Sequence, residues 1–199
     1  MVNGFYIDVP EGALPYDKVE PFPQVEPTTV SQKAAVRLKP QLHISKGCHP
    51  YAAVNAAGEI TAGITTTGDH DCSGRGIGSQ VYVRSTWYND VWAIMYAWYF
   101  PSSLIHDWKN IVVWIDNPSL AVPKVLGVSA QVKGGYLRYN KFNWDNGDFQ
   151  NLIMWDQLTE AARTALNNTN FKGNGDATVP FIDANFMANL KFAIPYVFA

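Results

Sequence analysis

The sequence predicts a mainly β domain, a β-sandwich with a few helices packed at its side, mostly in the C-terminal third. Three observations predict it. Between Leu42 and Val132 the chain carries short strand-type runs divided by turn residues. One of them, Ile111–Ile115, is apolar at every position, as a strand central to a sheet must be. After Asp156 the apolar spacing changes to that of helices.

Each element follows in chain order. Residues 1–30 hold five of the twelve prolines and little periodicity, so they read as an extended arm on the body. Residues 31–199 form the single domain. Ser31 can cap a short helical turn through Ala35, which Pro40 stops. The strands are Gln80–Trp87, Val91–Phe100, Asn110–Asp116 and Val125–Val132, with Asn117-Pro118 and Gly134-Gly135 marking strand ends. In the first, Val81, Val83 and Trp87 share one parity while Tyr82 and Arg84 alternate with them. Asp156 or Thr159 caps a helix that buries Leu158, Ala162, Ala165 and Leu166. A second helix begins after Asp183 and buries Phe186, Met187 and Leu190.

Composition narrows the function. The 199 residues suffice for one core, and 47% apolar residues are a globular share. A net charge of −2 gives no electrostatic ground for nucleic acid as a partner. The longest apolar run, Val91–Pro101, is about half of a membrane span. No basic, apolar leader precedes the acids Asp8, Glu11 and Asp17, so an exported form would be the mature one. Cys48 and Cys72 are either two buried thiols or one disulfide closing a glycine-rich loop.

The chemical motifs are weak. Gly76-Ile77-Gly78-Ser79-Gln80 lacks the second glycine and the helix of a nucleophile elbow. Asp69-His70-Asp71-Cys72-Ser73-Gly74 copies half a calcium loop, but Gln80 stands where the bidentate carboxylate belongs. His106 and Asp107 are neighbours and point to opposite faces of an extended chain, whereas Asp107 and Lys109 share a face with opposite charges. An ion pair at a strand entrance is the reading there. His43 and His49 read as structural, and Asn167-Asn168-Thr169 matches a glycosylation acceptor. No nucleophile–base pair assembles, so no enzyme is expected.

Longer blocks carry more information. Lys39–Tyr51, Gly78–Arg84, Ala93–Pro101, His106-Asp107-Trp108 with Val112–Pro118, and Asn151–Leu158 with Ala161-Ala162-Arg163 resemble the signatures of the necrosis- and ethylene-inducing-peptide-like proteins, two-cysteine type. The resemblance covers the chain from Ser31 onward. It implies a secreted protein of plant-associated microbes, an actinoporin-like β-sandwich and a Cys48–Cys72 disulfide; a monomer is expected. It also implies a Mg or Ca cofactor, and docking on glycosyl inositol phosphoceramide sphingolipid headgroups of the plant plasma membrane. The strand Ala93, Ile94, Met95, Tyr96, Ala97, Trp98, Tyr99, Phe100, Pro101 corresponds to the pattern sensed by plant immune receptors.

The departures bear on function. The family heptapeptide is Gly-His-Arg-His-Asp-Trp-Glu, whose first His, Asp and Glu serve the cation. Aligned on His106-Asp107-Trp108, this chain has Leu104 at the first His and Lys109 at the Glu, so Asp107 alone survives as a metal ligand. The connection from Pro101 to Asp107 is short, and so is the segment after Gly134-Gly135-Tyr136. Trp144 is either a remnant of a lipid- or glycan-contacting loop or a core residue. The expectation is a secreted, non-cytolytic protein without its cation. The alternatives are a cytolysin with a metal-independent headgroup site, or a carbohydrate-binding module using Trp144 or Tyr136.

Overall fold

A computed structural model describes residues 11–64, 72, 77–102, 105–140, 147–171 and 178–198. Three helices, α1 (Val30–Arg37), α2 (Glu160–Asn168) and α3 (Phe186–Ala193), accompany six strands. These are β1 (Gln80–Tyr88), β2 (Val91–Ser102), β3 (Ile105–Ile115), β4 (Val125–Val132), β5 (Gly135–Tyr139) and β6 (Asn151–Met154). They form one sheet in the order β5-β4-β3-β2-β1-β6. All neighbours are antiparallel except β1 and β6, which run parallel.

The sheet is covered on both faces, and side-chain alternation assigns each residue to one of two cores. On one face Ala93, Met95, Ala97, Tyr99, Trp108, Val112 and Trp114 pack with residues of α2, α3 and the segment around Tyr51–Val54. On the other, Ile94, Tyr96, Trp98, Val113 and Ile115 pack beneath Ala34 and Ala35 of α1. The mainly β architecture with helices at its side is therefore as expected, and β2 and β3 occupy its middle.

Local chemistry sets the boundaries. The β1–β2 hairpin turns on Asn89 and Asp90, both at positive φ, the conformation that a two-residue turn demands. Thr29, not Ser31, caps α1: its side chain accepts from the Gln32 N–H while the Gln32 side chain accepts from the Thr29 N–H. Thr159 caps α2 through the Ala162 N–H. In α3, Phe186 and Leu190 are buried as expected, but Met187 is 50% exposed, because it faces away from the sheet.

The sequence reading missed two strands and shortened a third. β5 is exposed or half-buried along its length, so no apolar run announces it. β6 has only four residues, too few for a period to register. β3 starts at Ile105 rather than Asn110, which places His106–Lys109 inside the strand and not ahead of it. Within the arm, residues 11–29 lie on the body: Val19 and Phe22 are buried, and the Phe22 N–H donates to Gln80 Oε1 at 2.7 Å.

Candidate functional site

The register of β2 against β3 pairs Pro101 with His106, Phe100 with Asp107, Tyr99 with Trp108 and Trp98 with Lys109. Alternation then splits the tripeptide His106-Asp107-Trp108 between the two sides of the sheet. Asp107 and Lys109 share a face, as their spacing predicted. Lys109 Nζ donates to Asp107 Oδ1 at 2.9 Å and lies 2.9 Å from Oδ2. Both side chains remain solvent-accessible, 57% for Lys109 and 38% for Asp107.

This ion pair opens into a cleft of about 420 Å³. Phe100 and Pro101 of β2 line one side, and the segment His43–Cys48 lines the other. Leu42 holds that segment down by a two-way backbone exchange with Asp148, at 2.9 and 3.0 Å. At its far end Cys48 is bonded to Cys72, with Cα atoms 4.7 Å apart, and the His49 N–H donates to the Cys72 carbonyl at 2.9 Å. The Tyr51 N–H then donates to Tyr99 O at 3.0 Å, so the chain leaves the cleft by joining the end of β2.

His106 and Trp108 serve the opposite face. His106 Nδ1 lies 2.7 Å from the Tyr99 hydroxyl, and its ring meets Phe171 edge-on with centroids 5.2 Å apart. Gly63 closes the pocket. It sits at φ +67°, and a Cβ there would come within 3.1 Å of the imidazole. Burial in these surroundings lowers the His106 pKa from 6.5 to about 4, keeping the ring neutral. Trp108 is buried among Tyr82, Tyr99, Phe171 and Phe181, and its Nε1–H has no hydrogen-bond partner among the described residues. Of the tripeptide, only the aspartate reaches the cleft.

The remaining sequence-derived residues fall elsewhere. Ala93–Pro101 runs through the centre of β2, and all of it but half-buried Phe100 is buried. Tyr136 is half-buried, with its hydroxyl donating to Asn110 Oδ1 at 2.7 Å. Leu104 and Trp144 lie outside the described residues. Among the described residues, no three of His, Cys, Asp and Glu converge as a metal shell. The wall His43–Cys48 falls in the family-like block Lys39–Tyr51, yet the sequence reads His43 as structural and gives Lys46 no role. No periodicity marks it, because its placement depends on two distant anchors, Asp148 and Cys72.

The sequence model described as "Necrosis inducing protein (NPP1)" matches residues 32–146 and 137–193. The chain belongs to the necrosis inducing protein family. Within that family, NLP effector protein 10 of Phytophthora capsici is 48% identical, covering 89% of this chain and 90% of the relative. The crystal structure of the non-toxic HaNLP3 protein superposes with a TM-score of 0.83 at 43% identity, over 90% of this chain and 99% of that one. NLPPya, solved in complex with glucosamine, superposes at 0.82 with 36% identity, over 92% and 99%. The family assignment, the mainly β toxin fold and the two-cysteine type thus agree with the resemblance seen in the sequence.

The alignment with NLP effector protein 10 runs over 213 positions against a chain of 199 residues, so it carries gaps in this chain. The two family matches overlap at residues 137–146, which marks a break in the correspondence there.

Proposed function

We propose that this protein is a secreted, non-cytolytic member of the necrosis inducing family that works without a bound divalent cation. The carrying observation is the Lys109 ammonium, 2.9 Å from each oxygen of Asp107. Magnesium and calcium require several hard oxygens, preferably charged. Among the described residues Asp107 is the one carboxylate lining the cleft, and the Lys109 ammonium already pairs with it. A divalent ion arriving there meets a like charge, at a cost of roughly 1 kcal/mol or more at 4 Å even in water. The residues present therefore do not fit the ion, and the lysine takes its electrostatic place.

Further support comes from the solved non-toxic relative, HaNLP3, of high overall similarity. What remains to such a protein is surface recognition. NLPPya has been solved with glucosamine and with mannosamine, so a family member of this fold takes sugars. Our reading is a binding protein of the plant exterior rather than an enzyme, acting as a monomer, with carbohydrate or headgroup contact at the Asp107 cleft.

Two measurements test it. Calorimetric titration with magnesium or calcium is expected to show no uptake, and a micromolar site would overturn the proposal. Vesicles containing plant glycosyl inositol phosphoceramides are expected to retain their dye when the protein is added. Leakage would favour the second reading, a cytolysin acting through a metal-independent headgroup site.

A further inference from the structure

We infer that the outer edge of β1, at Ser85 and Trp87, docks an extended segment of a partner protein that carries basic side chains and adds to the sheet as a strand. Backbone parity picks out the edge. The Asn151 N–H donates to the Ser79 carbonyl at 3.2 Å, so odd-numbered residues along β1 turn their backbone groups toward the β6 side. The two-residue turn at Asn89 and Asp90 requires the same, since its closing pair, Tyr88 and Val91, bonds across the hairpin. β6 pairs with residues 80–83 of β1 and then bends away into the 3-10 turn Trp155–Gln157. Ser85 and Trp87 therefore present N–H and C=O groups that no described residue pairs.

This stretch is open where its neighbour is shielded. The outer edge of β6 lies under the arm, with the Leu152 N–H donating to Gln24 Oε1 at 3.0 Å and Asn151 Nδ2 donating to the Phe22 carbonyl at 3.3 Å. Free edges are commonly guarded by a charge or a proline. Arg84 is the one charged residue in the stretch 84–88, and its guanidinium is held by Asp183 and stacked on Trp155 and Phe186. In the lane that β6 vacates, a pocket of about 220 Å³ is lined by Ser31, Arg84, Ser85, Met154, Trp155 and Asp156. It shares no residue with the Asp107 cleft, so this inference stands apart from the cation-free reading.

The flanking charges state the occupant's chemistry. Asp156 accepts from the neutral Gln32 side chain at 3.2 Å, Asp90 stands exposed in the hairpin turn, and neither has an ion-pair partner among the described residues. Between them run Ser85, Thr86, Trp87 and Tyr88, roughly 13 Å of extended chain. A strand with lysines at its first and fifth positions covers that length. It also sets its third residue beside Trp87, which is 48% exposed and braced edge-on by Trp92. A second copy of this chain is the wrong occupant. Pairing two β1 edges about a two-fold axis brings the Asp156 end of one copy to the Asp90 end of the other.

The probe is the capped pentapeptide Lys-Thr-Val-Thr-Lys, titrated into the intact, isotopically labelled chain and followed by nuclear magnetic resonance. Its sequence reads the same in both directions, so a lysine meets Asp156 in either strand polarity. The amides of Ser85 and Trp87 and the Trp87 indole are expected to shift. The acidic counterpart, Glu-Thr-Val-Thr-Glu, is expected to bind at least about tenfold more weakly, the difference that reversed charges at contact distance make in water. The lysine peptide with its amides N-methylated keeps the side chains but has no N–H to give, and is expected not to bind.

Two variants complete the test. Asp156→Asn should weaken the lysine peptide severalfold with an unchanged melting temperature, because the side chain is exposed. Ser85→Pro removes one edge donor while the bonds to β2 stay intact, and should abolish binding. If the proline variant does not fold, Asp156→Asn decides alone. No shift at Ser85 and Trp87 up to millimolar peptide overturns the inference, as does equal binding of the acidic or the N-methylated peptide, or binding indifferent to Asp156→Asn. Protection of these two amides that grows with protein concentration and ignores the peptide assigns the edge to a second copy, and overturns the inference as well.

Discussion

His106 shows how one side chain sets a pH limit on the whole protein. Its folded pKa of about 4 lies below its ordinary 6.5, because burial against Tyr99 and Phe171 disfavours the charged ring. The unfolded chain therefore takes up a proton that the folded chain refuses. Stability from this group is complete above pH 6.5 and declines as pH falls toward 4, by up to about 1.4 kcal/mol per pH unit. Urea titrations across that window should show the slope, and His106→Gln should flatten it. Residue identity made this visible only in part. Sequence parity separated His106 from Asp107 and joined Asp107 to Lys109, because alternation is a property of any strand. That the imidazole packs on Tyr99 depends on a pairing seven residues apart across a hairpin, and on Gly63, which no local pattern connects to it.

Among the elements, the disulfide-bounded loop determines how the cleft is built. Cys48 and Cys72 are 24 residues apart, and closing a loop of that length stabilises the fold by about 3–4 kcal/mol in the loop-entropy account. Replacing both cysteines by serine should lower the unfolding free energy by that amount. It should also free the His43–Cys48 wall, read as faster amide exchange at His49 and Tyr51. Elements with long runs were legible: β1, β2 and β4 lie within two residues of expectation, as does α2 with its Thr159 cap. β5 and β6 were not, since one is a half-exposed edge and the other a four-residue parallel partner whose register is set by β1. The polar beginning of β3 was hidden for a related reason. His106-Asp107 and Lys109 are unremarkable as strand formers, and their pairing with the buried end of β2 decides their conformation.

For the molecule as a whole, Arg84 ties the sheet to the C-terminal segment. Its guanidinium lies 5.0 Å from the Trp155 ring centroid and 4.8 Å from that of Phe186, pairs with Asp183 at 2.8 Å and donates to the Phe181 carbonyl at 2.9 Å. Arg84→Lys keeps the charge but loses the planar stacking and the fork, so a loss of about 1–3 kcal/mol is expected from chemical denaturation. Arg84→Met, which retains the packing volume, separates the contribution of the polar contacts. The arrangement explains why sequence reasoning found the class of the fold and the family but left the cleft incomplete. Long sequence blocks each encode one element, whereas Lys46 and Lys109 line one cleft only once the Cys48–Cys72 disulfide and the Leu42–Asp148 exchange have brought the His43–Cys48 segment to the end of β2 and β3.

The position of β2 has a consequence for how it can be reached. Hydrogen-bonded to β1 and β3 on its two edges, this strand contributes Ala93, Met95, Ala97 and Tyr99 to one core and Ile94, Tyr96 and Trp98 to the other. A molecule that binds this strand would reach it only once the protein is cut or unravelled. What it would then meet is a segment with little freedom to vary, because each change at a buried position would weaken the scaffold that carries it.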